Sequence, residues 1–181
     1  VLRHLGKYDS GRYKKVIIEA SSAYVEPKQI DLDIVQVNVV FDYRQLWKKD
    51  GIKRKELYLG AIEIGLMSCA RHLKWLEKPI ALAVDEVKRE RLSNVYQYGK
   101  TKSSPDKNQS ASLWIKFDLD AIELLLRIYS NDNSIEREQV IVRKPPREIY
   151  IYDLLGDFKW ENNRQIVVRD RHKKPFTEVK L

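Results

Sequence analysis

From Ile30 to Tyr43 apolar side chains fall on alternate positions, first as Ile30, Leu32 and Ile34, then on the opposite parity as Val35, Val37, Val39, Phe41 and Tyr43. A period of two is the signature of a strand, and it is clearest in this run. A single change of phase requires a bulge, or a long strand whose halves bury opposite faces. Fully extended, such a run would span about 46 Å, too long for a flat strand in a domain of this size. The expectation is therefore a bent strand in a strongly curved sheet.

Arg54 to Lys78 reads as one long helix. Leu57, Ala61, Ile64, Ser68, Arg71 and Trp75 follow one line, and Leu59, Ile62, Leu66, Cys69, Leu73 and Leu76 a second, greasier one. Gly60, Gly65 and Ala70 permit close approach by a neighbour. Few charges interrupt the middle, so the helix is expected to be buried on more than one side, and Pro79 to end it.

The remaining signals are mostly strands. Lys15–Ala20 is a short one, and the apolar run Ile80–Val84 favours strand over helix. Lys88–Tyr98 fits either. Leu113–Leu119 and Ile122–Ile128 alternate on opposite parities. The second also carries a helical capping pattern, Asp120 with Glu123, but the strand reading is favoured. Asn131–Ser134 reads as a hairpin turn into Val140–Val142. After Pro145-Pro146, Glu148–Tyr152 reads as a strand, and Glu161–Asn163 as a turn between Phe158–Trp160 and Ile166–Val168. Residues 1–12 and Gly99–Ser112 read as loops, the latter long and exposed. The sum is one α+β domain over residues 1–181: a mainly antiparallel, strongly curved sheet with one long buried helix at about 54–78.

Composition removes several classes. The longest greasy run, Leu57–Ala70, is 14 residues long and contains Glu63, too short and too charged to cross a bilayer. With 7 Gly, 6 Pro and 1 Cys, the chain is neither collagen-like nor disulfide-built. The lone Cys69 and the absence of an apolar leader in Val1–Lys7 make the cytoplasm the default location. No internal repeat recurs, and no signal for oligomeric state is present.

Catalytic signatures are sparse. The chain has three histidines, His4, His72 and His172, and no nucleophile elbow, phosphate-cradling glycine loop or dinucleotide fingerprint. Cys69 and His72 lie three apart on the expected helix, as half a zinc site or a thiolate–imidazole pair would. A buried thiol beside a surface imidazole is the plainer reading, because no second cysteine exists. An acid two residues before a lysine, as metal-dependent nucleases use, occurs at Glu26/Lys28, Glu86/Lys88, Asp157/Lys159 and Glu178/Lys180, about as often as chance gives. Glu86/Lys88 is the best placed, at the end of Ile80–Val84, with Asp31, Asp33 or Asp42 as the further carboxylate. Asp31/Asp33 and Asp118/Asp120 are paired on what read as strand faces, where solvation explains them. No catalytic residue, metal ligand or cofactor is assigned from the sequence.

The cations carry more. Lys and Arg number 34 against 26 acids, a net +8, distributed as +4, +2 and +2 over successive thirds. Such an excess steers anionic partners toward the chain. Arg44, Lys48, Lys49, Lys53, Arg54 and Lys55 crowd one short segment with Asp50 alone opposing. They fall where the long helix starts, against the positive end of its dipole and beside free N–H groups, a setting suited to phosphate. The plainer alternative is a helix that begins near Glu56 behind a solvated basic loop. A second cluster is Arg164, Arg169, Arg171, Lys173 and Lys174, with Arg169 and Arg171 expected on one strand face. The third sets Lys100, Lys102 and Lys107 beside Tyr96, Tyr98 and Trp114, cations for phosphates with aromatics to stack bases. The leading expectation is a non-catalytic domain that binds a polyanion, most plausibly nucleic acid. Alternatives are a protein–protein module (an inhibitor, an immunity-type protein or an assembly subunit), since 4 Trp, 10 Tyr and 4 Phe can anchor interfaces, and a metal-dependent nuclease. The expected partners are nucleic acid or an acidic protein, with no membrane.

Overall fold

A computed structural model describes residues 2–46 and 48–181. The fold is α+β, with three sheets, mostly antiparallel, and one 23-residue helix. Its residues group into two compact units, 1–93 and 94–181, where the sequence reading has one domain over the whole chain.

The first unit begins with a short helix, α1 (Leu2–Leu5), followed by β1 (Lys15–Ser21), β2 (Val25–Asp31) and β3 (Ile34–Val40). These strands form a sheet in the order β1-β3-β2, with β1 parallel and β2 antiparallel to β3. The run from Ile30 is thus not one long strand. Asp31 pairs with Ile34 across the two-residue turn Leu32-Asp33, so the change of phase marks a hairpin. The chain then leaves the sheet at Phe41 for a helical turn, α2 (Tyr43–Leu46). With no fourteen-residue strand to accommodate, no sheet is strongly curled.

Two helices follow, α3 (Gly51–Leu73) and α4 (Glu77–Arg89). Asp50 caps α3, its carboxylate accepting the Lys53 N–H at 2.9 Å. The C-terminal stop is Lys74, which takes a left-handed conformation, with the Trp75 N–H returning to the Ala70 carbonyl at 2.8 Å. Pro79 ends nothing. It lies in the first turn of α4, where no intrahelical donor is needed. Ile80–Val84 is accordingly helical, and Ile80, Ala83 and Val84 are its buried residues at helical spacing. The helix α3 is not covered all round: Leu59, Gly65, Leu66, Cys69 and Ala70 are buried, whereas Ile52, Tyr58 and Ile64 are exposed. Gly65 does serve close approach, because a Cβ there would meet the Ile18 side chain of β1 at 2.8 Å. Gly60 has open space around it. Val35, Val37 and Cys69 form the centre of this packing.

The second unit has seven strands and one helical turn. β4 (Val95–Ser103), β5 (Gln109–Phe117), β6 (Ile122–Ser130) and β7 (Ile135–Lys144) make an antiparallel meander in sequence order. After α5 (Ile149–Tyr152), β8 (Asp157–Asn162), β9 (Gln165–Arg169) and β10 (Pro175–Lys180) make a second one. One apolar face of each sheet contributes to a shared core: Leu113, Ile115, Leu124 and Leu126 from the first, Phe158, Ile166, Val168 and Val179 from the second, with Ile151 of α5. Strand formation at Ile122–Ile128 agrees with the sequence, as do the β6–β7 turn and the β8–β9 hairpin. Two expectations are overturned. Gly99–Ser112 is not a long loop, because β4 runs through Gly99 and Lys100 to a tight turn at 104–108. Glu148–Tyr152 is not a strand but a helical turn with only Ile151 buried.

Candidate anion site

Leu46 is buried and anchors the end of α2, and from there the chain turns sharply into α3. The Lys48 and Lys49 amides donate to the Gln45 and Leu46 carbonyls at 3.3 and 3.4 Å, which folds Lys48 and Lys49 back beside the first turn of α3. The result is a concavity of about 560 Å³ lined by Gln45, Lys48, Lys49, Asp50 and Lys53. Three lysines face one acid. The N–H of Lys53 bonds to the Asp50 carboxylate and, with the nearby ammonium, holds it below the usual carboxylate range. That ammonium is 3.7 Å from Asp50 Oδ2. Lys48 and Lys49 make no ion pair among the described residues.

The helix begins at Gly51, not near Glu56, so Lys53, Arg54 and Lys55 occupy its start, and no acid lies in the first turn. Each such cation opposes the helix dipole by about 0.3–1 kcal/mol. Arg44 turns away to Asp42, whose Oδ1 accepts the Arg44 amide at 3.0 Å and lies 3.4 Å from its Nε. Arg54 and Lys55 are half-buried. The concavity thus gathers Lys48, Lys49 and Lys53 from the six expected cations and adds Gln45 and Asp50. Their place in the sequence signals only the acid: Asp50 stands three residues before Lys53, the N-cap spacing.

In the second unit three of the expected cations, Lys102, Arg169 and Arg171, are engaged in ion pairs. The strand β9 stops at Arg169, so Arg169 and Arg171 do not share a strand face. Arg169 Nη2 lies 3.7 Å from Glu161. Arg171 pairs with Asp153 at 3.1 Å, and its guanidinium lies 4.9 Å from the centre of the Tyr152 ring. Lys102 Nζ is 3.1 Å from Asp157 and 5.0 Å from the Phe158 ring centre. Arg164 lies in the β8–β9 turn. Lys173 and Lys174 are exposed on a closed turn: the Asp170 carboxylate accepts the His172 and Lys174 amides at 2.8 and 2.9 Å. Lys100 is exposed on β4 and Lys107 in the turn after it.

The expected stacking platform is not assembled. Tyr96 and Tyr98 pack against the core, and the Tyr98 hydroxyl donates to the Leu155 carbonyl at 3.2 Å. Trp114 belongs to the opposite face of the sheet, since Tyr96 and Tyr98 are paired with Ile115 and Leu113. Its indole N–H donates to Ser112 and Tyr129 at 2.7 and 2.9 Å, and Arg127 covers its ring at 4.1 Å.

The nucleolytic constellation is also dispersed. Glu86 and Lys88 are on helix α4, where residues two apart face different ways. Glu86 pairs with Arg89 and Lys88 with Glu63. Asp33 sits in the hairpin turn and pairs with Lys14 at 3.3 Å. Asp118 and Asp120 occupy the turn between β5 and β6, not a strand face. No cluster of three metal-ligating side chains occurs among the described residues. Cys69 is fully buried and His72 exposed, and burial pushes the Cys69 thiol up to about 11. Among the described residues no helix is long and apolar enough to cross a membrane.

No protein-family model matches this chain, and no curated protein or solved structure compared with it is similar.

Proposed function

We propose that the chain is a non-catalytic binding protein for a polyanion, most plausibly nucleic acid, and that the concavity between α2 and α3 takes a phosphate. The observation that supports this is local: three lysines and one acid line a hollow at a helix start that lacks first-turn acids, and Lys48 and Lys49 make no ion pair among the described residues. Cations held against the helix dipole destabilise the free protein, and a bound phosphate would relieve the repulsion while accepting backbone N–H groups. The carboxylate of Asp50, already bonded to Lys53, would act as the pivot that positions this ammonium.

The test is fluorescence anisotropy with labelled single- and double-stranded DNA and RNA across several salt concentrations. Binding is expected to weaken steeply with salt, with a log–log slope of about 0.9 per phosphate neutralised on duplex DNA. Replacing Lys48 and Lys49 by Gln is expected to weaken binding tenfold or more and to lower that slope by about two. Absence of binding at low salt, or an unchanged slope in the double variant, would retire the assignment.

A further inference from the structure

The turn α5 puts apolar side chains into solvent on a fixed mount. Ile149 is 76% exposed, Tyr150 47% and Tyr152 60%, whereas Ile151 between them is 1% exposed and belongs to the core. The mount is tied at its far end as well. Gly156 packs so tightly on the backbone after β9 that a Cβ there would lie 2.1 Å from the Asp170 carbonyl oxygen. Arg171 donates its N–H to the Asp153 carbonyl at 3.3 Å, pairs with the Asp153 carboxylate and covers Tyr152. An apolar patch this exposed and this well anchored costs solvation in the free protein and fits an interface. Charge beside it is uneven. Of the acids nearby, Asp153 is taken by Arg171, Asp170 accepts the amides of its own turn, and Glu148 is exposed; against these, Arg147, Lys173 and Lys174 are three exposed cations that make no ion pair among the described residues.

We propose that α5 and the adjoining 171–174 turn form a docking surface for an acidic protein partner, whose apolar groove receives Ile149 and Tyr152 and whose carboxylates meet Lys173 and Lys174. This proposal does not depend on the reading of the α2–α3 concavity. Nucleic acid fits less well here: the most exposed side chain is aliphatic and offers no ring to stack, and one face of Tyr152 is already covered by Arg171. A second copy docked about a twofold axis would set the unpaired cations near their own kind, at an electrostatic cost.

The experiment is selection of a random-peptide display library on the intact protein, followed by binding measurements with synthesised winners. The expected winners carry aliphatic or aromatic anchors flanked by Asp or Glu. The I149S/Y152S variant should lose at least tenfold in affinity for them, and K173E/K174E several-fold, with most of the salt dependence gone and melting temperatures near that of the parent. Because every substituted side chain is exposed, folding of at least the charge-reversal variant is expected. The proposal falls if no peptide is enriched, or if the winners bind both variants as well as the parent. It falls equally if the variants abolish binding to a dT oligonucleotide, to anionic lipid vesicles or to a second copy in sedimentation, while peptides show none.

Discussion

Two glycines in one helix separate packing from propensity. Gly60 and Gly65 both weaken α3 relative to alanine, by about 1 kcal/mol each. Gly60 has no heavy atom within reach of an added Cβ, so Gly60→Ala should stabilise the protein by about 0.5–1 kcal/mol. At Gly65 the same methyl would press on the branched base of the Ile18 side chain at 2.8–2.9 Å, against a fixed sheet. Gly65→Ala should therefore be net destabilising by about 1–3 kcal/mol. Urea denaturation of both variants checks the pair, and equal signs would refute the close-approach account. The sequence shows both glycines on the helix but not which one meets a neighbour, because that depends on which strand lies beneath.

The β6–β7 hairpin turn depends on Asp132. Its carboxylate accepts the Ser130 hydroxyl and the Ser134 N–H, and these bonds lower its pKa to about 2. A depressed acid stabilises the fold above its unfolded pKa and loses that contribution as pH falls through the folded value. The hairpin should therefore weaken between about pH 4 and pH 2, and Asp132→Asn should remove that segment of the pH dependence. Amide exchange at Ile135 and Tyr129 across a pH series would read it. This hairpin was legible because its turn residues stand between two alternating runs. The Leu32-Asp33 turn was not, because Leu32 is no turn former, Asp33 alone is a weak signal, and the alternation continues through it with one phase change. Glu148–Tyr152 misled for another reason: Ile and Tyr favour strands, yet burial of Ile151 alone fixes one helical turn. At the candidate site the cationic run and the start of the helix were legible. The hollow was not, because it depends on α2, which no periodicity announces.

At the scale of the molecule, each unit owns a core and is continuous in sequence. Residues 94–181 expressed alone should therefore melt in one cooperative transition, read by the fluorescence of Trp114 and Trp160, the two of the four tryptophans it retains. A broad, non-cooperative transition would mean that this half requires the other.

The strand orders also bear on the sequence of events at the ribosome. In the sheet of the first unit β1 must wait for β3, its only neighbour, which arrives after β2. Within each sheet of the second unit, by contrast, neighbouring strands are consecutive in the chain. Since synthesis runs from N- to C-terminus, the late-pairing sheet is made before those of the second unit, and it has all its partners before residue 94 is added. The second unit needs only pairings between consecutive strands, which close fast.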